Sequence, residues 1–355
     1  MINLDRERVK TAVVGGAILG GGGGGWVDLG LASGYLAVEM DRLALLTADE
    51  LPDDTVIVTV GAVGAPAAKD RYVTPRHFIR AVELLRDRMG VAVGGLITNE
   101  NGGSATVNGW IQAAALGLPV VDAPCNGRAH PTGLMGSMGL HRRTGYVSIQ
   151  AAAGGDPQKG RYLEMTVTGG LSQASALVRQ SSIQAGGVLA VARNPVTLSY
   201  AMENGAPGAI SEAMRVGSAL LKHEGDPARM IRSAAAALRG ELIAEGVIAD
   251  VSLQTEGGFD SGGVRLSTGH ELTFWNEYMT LEKDGERLGT FPDLIMTFDL
   301  GSGMPVTSAE IEHGQPVAVV WSHRSNLILG AGMKDPALFV DAERAVNRSI
   351  IQYVF

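Results

Sequence analysis

The chain has 355 residues, 45% of them hydrophobic and only 5% aromatic, with a net charge of -8. That is enough apolar sequence for a large core, and the length fits roughly two domains. Its basic residues are scattered and it has one cysteine, which speaks against a nucleic-acid footprint, an intrachain disulfide and a cysteine-rich zinc site.

Residues 4–19 read as a helix opened by Asp5, Arg6, Glu7 and Arg8. Six consecutive glycines, Gly20 to Gly25, stop it. Glycine loses more backbone freedom on folding than any other residue. The run therefore reads either as the close-fitting wall of a site or as a flexible linker. Val56 to Gly61 is strand-like. Pro75 opens a helix with Phe78, Val82, Leu85 and Met89 on one face, and Gly90 closes it. Next come a buried-type strand over 91–98, a helix over 104–116 and the apolar piece L-P-V-V-D-A at 118–123. This alternation predicts an α/β fold: a three-layer domain with a mostly parallel sheet and helices on both faces. Functional groups are expected past the carboxyl ends of the strands. That rule selects the loops 61–66, 99–103 and 122–131.

From 170 to 245 the chain reads as helical with one strand, V-L-A-V-A-R-N-P at 188–195. Asp226 and Pro227 start a helix there, and Gly246 is read as its stop. After that the period shortens to β-rich pieces, with K-D-G-E as a hairpin turn. The expected division is an α/β domain over 1–245, a β-barrel-like domain over 246–335 and a terminal helical segment over 336–355. A cleft between the two unlike halves is the default ligand site. No uncharged apolar run is long enough to span a membrane. The opening M-I-N-L-D-R-E-R-V-K lacks a secretory pattern, so the expectation is a cytoplasmic protein.

Glu100, in T-N-E-N-G-G, is a candidate general base, metal ligand or substrate clamp. The competing reading is a helix N-terminus capped by Asn101 or Ser104. The densest cluster is V-D-A-P-C-N-G-R-A-H-P, Val121 to Pro131. Arg128 there suits a carboxylate or oxyanion. His130 suits proton transfer or zinc. Cys125 is a nucleophile, a soft ligand or simply a small buried hydrophobe. Glu100, His130 and Asp122 form the catalytic candidate set. Gly22, Gly23, Asn101, Arg128, Asn194 and Asn276 are the substrate-binding candidates. Glu100, Asp122, Cys125 and His130 are the residues available to a divalent metal such as zinc. His141, His223, His270, His313 and His323 stand alone and read as structural, and Asp293, Asp299 and Gly301 as turn chemistry. No H-E-x-x-H, no Gly-x-Ser-x-Gly and no Walker lysine is present.

In sequence, the pieces G-G-A-I-L-G-G-G-G-G-G, D-E-L-P-D-D, V-G-A-V-G-A-P, V-V-D-A-P-C-N-G-R-A-H-P, V-A-R-N-P-V, T-E-G-G-F, F-P-D-L-I and D-L-G-S-G-M-P-V-T-S-A-E span nearly the whole chain. As an ordered set they resemble the bacterial S-methyl thiohydantoin desulfurase-like family, often grouped with hydantoinases. The resemblance implies hydrolytic attack on a ring carbon of a small cyclic amide, hydantoin or thiohydantoin, with an acidic tail suited to Arg128. It also departs from the family at two places. This chain reads G-R-A-H-P-T where the family usually reads G-R-A-F-P-E, so an acidic residue is absent at Thr132, and it reads G-G-G-G-G-W where the family usually reads T-G-G-G-G-D-P. Either His130 replaces the lost acidic residue or this member acts on another substrate. The alternatives are a lyase or isomerase using Glu100 and His130 for proton transfer, and a non-catalytic binding or assembly subunit. The expected partners are a small-molecule substrate and a second copy of the chain, with no nucleic acid and no membrane. On this reading the glycine run is a packed turn whose amides face an anion or a developing oxyanion.

Overall fold

Asp5 starts the first long helix for a local reason: its carboxylate accepts the Arg8 amide at 2.8 Å, satisfying a donor that the first turn leaves free. The computed structural model describes residues 1–90 and 92–355, with the side chain of Ala48 also outside the description. In chain order the first part comprises β1 (Ile2–Asn3), α1 (Arg6–Leu19), α2 (Val27–Met40), β2 (Ala44–Leu46), β3 (Val56–Gly64) and α3 (Pro75–Met89). There follow β4 (Gly95–Thr98), α4 (Trp110–Leu116), β5 (Val120–Val121), β6 (Ser148–Gly154), β7 (Leu163–Gly169) and α5 (Leu171–Gln184). Then come β8 (Val188–Thr197), α6 (Leu198–Asn204), α7 (Ala209–Leu221) and α8 (Pro227–Ala237). The expected strand start at Val91 lies outside the described residues. The expected helix over 104–116 begins only at Trp110, because 103–109 form successive turns.

The first sheet has the order β1-β2-β5-β4-β3-β8-β6-β7. It is mixed rather than mostly parallel. β2, β5, β4 and β3 pair in parallel, while β8, β6 and β7 add antiparallel strands beside β3. The parallel half fits the βαβ alternation read from the sequence. The antiparallel half arises because β6 and β7 form a hairpin and β8 returns against β3. Helices cover both faces. Val58 and Val60 of β3 pack with α3 and α4 residues such as Leu85 and Trp110, whereas Val63 packs with Val178 of α5. Alternate residues of one strand thus serve two cores, which explains the continuous apolar runs.

The second sheet is built from β9 (Glu241–Glu256), β10 (Phe259–Leu266), β11 (His270–Trp275), β12 (Glu277–Lys283), β13 (Glu286–Thr290), β14 (Leu294–Asp299), β15 (Pro305–Val306) and β16 (Pro316–Ser322). Its order is β13-β12-β11-β10-β9-β16-β14-β15, antiparallel throughout. No pairing joins β13 to β15 among the described residues, so a closed barrel is not established. Gly246 lies inside β9 rather than ending a helix, since α8 stops at Ala237. The K-D-G-E hairpin forms between β12 and β13, with Asp284 and Gly285 at φ 50° and 82°. The chain closes with α9 (Val340–Val346) and α10 (Ile351–Val354).

α1 joins the two halves. Val9, Ala12 and Val13 lie in the core of the first sheet. Val14, Ile18 and Leu19 pack with α7, α8, β14 and β16. Gly15 permits close approach to α7: a Cβ there would sit 1.7 Å from the Ala213 carbonyl oxygen. The glycine run leaves the end of this buried helix at the seam between the sheets. No helix among the described residues is long and apolar enough to cross a membrane.

Candidate active site

The three strand-end loops selected from the sequence, the glycine turn and one corner of the second sheet enclose a cavity of about 110 Å³. That is many times the roughly 10–15 Å³ that one water needs. Leu29, Phe78, Val107 and Ile111 supply apolar wall, and Asn99, Glu100, His130, Arg179, Arg193 and Glu277 supply polar groups.

Glu100 and His130, from two of those loops, meet at the cavity wall. His130 Nδ1 lies 2.9 Å from Glu100 Oε2, with the imidazole buried and the carboxylate 15% exposed toward the cavity. The backbone amide of His130 donates to the same oxygen at 3.2 Å. A chain of donors fixes the ring. Arg193 Nη2 donates to Asn99 Oδ1 at 2.8 Å. A guanidinium only donates, so the Asn99 amide group must face the other way. Its Nδ2 is 3.2 Å from His130 Nε2 and 3.2 Å from Glu100 Oε2. His130 Nε2 is therefore the acceptor, and the ring proton sits on Nδ1, toward Glu100. Nδ1 is at ion-pair distance but off the line of a good hydrogen bond, so it is left without an aligned partner.

The glycine turn is shaped by contact. Gly21, Gly22, Gly24 and Gly25 have φ of 60°, 94°, 81° and 81°, angles that favour glycine. Gly21 O accepts from Tyr278 N at 2.8 Å and Gly22 O from Ser308 N at 2.9 Å, pinning the turn to the second sheet. Gly24 and Gly25 line the cavity. Gly22 and Gly23 face the second sheet instead. A Cβ at Gly22 would lie 2.7 Å from the Tyr278 ring, and one at Gly23 would lie 2.1 Å from Glu277 Oε1.

Of the remaining substrate-binding and catalytic candidates all but Asn276 go elsewhere, each for a visible reason. Asn101 is buried and donates to the Gly127 and Ala209 carbonyls at 3.2 and 2.8 Å, so it ties loops together. Asp122 serves a helix. Its carboxylate accepts from Ile210 N at 2.8 Å and from Ser211 N at 3.1 Å, capping α7, whose own N-cap residue is Gly208. Asp122→Ala is expected to cost about 2–4 kcal/mol of stability, because it orphans two buried donors, while ligand affinity stays unchanged. Urea unfolding beside a binding titration checks both. Arg128 is fully buried beneath the glycine turn, not on the cavity wall. It donates to the Pro292 carbonyl at 3.1 Å and to the Asp293 carbonyl, and lies 4.5 Å from the Phe291 ring centre. Burial lowers its pKa to about 10, and the Glu277 and Asp293 carboxyls oppose that. Asn194 sits at φ 52° in the β8 irregularity and accepts from Ser148 Oγ at 2.7 Å. Asn276, at φ 58°, does reach the cavity. Cys125 is buried against Thr59 Oγ1 at 3.2 Å, and burial pushes its thiol up to about 11, an inert state at neutral pH.

The metal candidates are accordingly split. Glu100 and His130 adjoin, but Asp122 and Cys125 are committed to other contacts. Two adjacent donors are fewer than a protein-held zinc uses, and His130 Nε2 is already turned to Asn99. Among the described residues no three His, Cys, Asp or Glu side chains gather as a metal-holding group.

Three charged cavity residues escaped the sequence reading. Arg193 stands inside the buried strand β8, and its Nε has no partner. Arg179 on α5 donates to the Pro131 and Gly258 carbonyls at 3.0 and 2.7 Å, and burial lowers it to about 10. Glu277 is 2% exposed and its Oε2 has no partner. Burial pushes its carboxyl well above the usual range, and the Glu100 carboxylate adds to the effect. For Arg193 and Glu277 the available signal was a charge inside an apolar strand, V-L-A-V-A-R-N-P and T-F-W-N-E-Y-M-T-L, where an unpaired charge is costly.

The fold is thus that of a two-domain α/β protein with one mixed and one antiparallel sheet sharing a polar cavity. Residues 7–156 match the family model described as the S-Me-THD-like N-terminal domain, and residues 171–329 match the S-Me-THD-like C-terminal domain. The chain belongs to the S-Me-THD-like family. It also resembles the crystal structure of a protein from Chromobacterium violaceum, with a TM-score of 0.71 and 22% identity over 100% of this chain and 98% of that one. At that identity the likeness concerns the fold alone. Among proteins of curated function, none matches the chain.

Proposed function

We propose that the chain is a hydrolase acting on a small cyclic amide or a hydantoin- or thiohydantoin-like ring. Family membership supports a hydrolase-type activity on a small ring. The observation that carries the reading is the Arg193–Asn99–His130–Glu100 chain, ending in a carboxylate at the cavity wall. Glu100 takes a proton from a water as the water oxygen bonds to the ring carbon, and His130 holds the carboxylate in place. Gly24 and Gly25 line the cavity, and backbone amides there would suit the oxygen on which negative charge develops. Arg179, whose guanidinium donates to the Gly258 and Pro131 carbonyls and lies over the Phe259 ring, suits an acidic tail on the substrate in place of the buried Arg128.

The test is a panel of hydantoins, thiohydantoins, their S-methyl forms and simple lactams, with the purified protein, with and without added divalent metal. Ring opening or thiol release is followed by absorbance. Turnover of at least one ring is expected, and inactivity across the panel under both conditions would remove the reading.

A further inference from the structure

We infer that Glu277, brought to the cavity by the second sheet, is the catalytic acid that protonates the leaving group, and that Arg128 is the cation that holds its conjugate base. The inference rests on the hydrolytic reading above and deepens it.

Position comes first. Glu277 opens β12 immediately after the turn residue Asn276. Asn276 is clamped on two sides by Asp260: its amide donates to the Asp260 carbonyl at 2.7 Å, and its Oδ1 accepts the Asp260 amide at 2.9 Å. Asp260 in turn accepts from the Ala67 amide at 2.6 Å, tying this corner to the loop after β3. The glutamate is thereby fixed at the cavity wall by both halves of the protein.

Two orphaned groups come next. Glu277 Oε2 and Arg128 Nη2 are buried atoms of opposite kind, and neither has a hydrogen-bond partner. Both press on the glycine turn. A Cβ at Gly21 would lie 2.6 Å from Arg128 Nη2, and one at Gly23 would lie 2.1 Å from Glu277 Oε1. Bare backbone there makes room for a carboxyl and a guanidinium on the same turn. A carboxyl with a purely structural role would have its oxygens satisfied, since a buried unsatisfied polar group is costly.

The charges facing Glu277 are Glu100 from the loop after β4, Arg128 from the loop after β5 and Arg179 from α5. Burial and Glu100 favour the protonated carboxyl, and the two arginines favour its conjugate base. Two carboxyls in one cavity, held in different environments, divide into a base and an acid.

The step balances. Glu100 accepts one proton from water as the new carbon–oxygen bond forms. The bond from that carbon to the ring nitrogen breaks, its electron pair goes to the nitrogen, and the nitrogen takes the proton of Glu277. Glu277 is left as a carboxylate beside Arg128, and the proton held by Glu100 returns to it through solvent. An amide nitrogen needs that proton to leave. A methylthio group leaves as a thiolate without it.

Glu277→Gln tests the inference by two readouts. In the first, melting temperatures of the native protein and the variant are compared from about pH 5 to about pH 9. The folded native chain holds a proton that its unfolded form releases above the ordinary glutamate range, so native stability carries a loss with rising pH that the variant lacks. The variant's advantage should widen with pH. In the second, turnover of a cyclic amide should fall by roughly 10²–10⁴, while that of a ring with a methylthio leaving group falls less than about tenfold. A melting gap that stays flat with pH overturns the inference, because an ionised Glu277 has no proton to give. Equal losses on both leaving groups, or no loss on either, overturn it while leaving the hydrolytic reading intact. Inactivity of the native protein toward every ring removes that reading, and the acid role with it.

Discussion

Glu100→Gln is expected to lower turnover of any ring the protein hydrolyses by roughly 10²–10⁴ while leaving the melting temperature nearly unchanged. Glutamine keeps an oxygen that accepts from the His130 amide and from Asn99 Nδ2, the two donors that now hold Oε2. It cannot take a proton from water. The side chain is 15% exposed at the cavity wall and glutamine fills the same space, so folding is largely spared. Substituting His130 should do less to the chemistry and more to the fold, since its ring is packed out of contact with solvent. Initial rates across substrate concentration, with thermal melts of the same samples, separate the two effects. A Glu100→Gln protein with native turnover would take the base out of this mechanism.

The second large effect is a contrast inside the glycine run. Gly24→Ala should unfold the protein readily, and Gly23→Ala should disable it while folded. At Gly24 the backbone has φ 81°, and a Cβ would lie 2.4 Å from Gly102 Cα and 3.1 Å from the Asn101 carbonyl oxygen. Both obstacles are backbone and cannot turn aside. Left-handed strain of about 1–2 kcal/mol adds to overpacking of about 1–3 kcal/mol, so a loss of about 2–5 kcal/mol is expected in urea unfolding. At Gly23 the three atoms nearest a Cβ all belong to the Glu277 side chain, with Oε1 at 2.1 Å and Cγ at 2.8 Å. A side chain can rotate away at a cost near 1 kcal/mol, but the carboxyl then leaves its place. Turnover should fall tenfold or more with little change in stability. If Gly23→Ala turned over normally, the run would be no more than a spacer.

Local pattern carried much of the fold. The Asp5 start and glycine stop of α1, and the Pro75 start and Gly90 stop of α3, are set by neighbours a few residues away. The βαβ alternation located the three loops that do converge, and with them the Glu100–His130 pair. What stayed hidden depends on distant partners. β8 joins β3 in antiparallel fashion because β6 and β7 intervene as a hairpin, and no short window of sequence contains that. Asp122 looked catalytic in its motif, yet it caps a helix whose first turn is 88 residues away and whose own cap position is glycine. Arg128 looked like an anion binder until the Phe291–Asp293 turn closed over it. Glu277 is hidden beside Asn276, the polar residue that stands out in a stretch otherwise patterned as a strand. Its meaning lies in Gly23 and Glu100, which reach it only through the tertiary fold.

The hydrogen bonds from Tyr278 to Gly21 and from Ser308 to Gly22 span more than two-thirds of the chain's length. Contacts of such separation close late, because the entropy of a long loop must be met before they form. During synthesis, then, the half that carries Glu100 and His130 exists for a time without the half that carries Glu277. Such a chain has Glu100 and His130 without Glu277, and its cavity lacks the wall that the second sheet supplies, so the site is incomplete until the last sheet docks. A ligand that touches both halves binds only the finished form, and by mass action it holds that form together. Recovery of ligand binding during refolding would therefore time the docking of the sheets, after the helices have already formed.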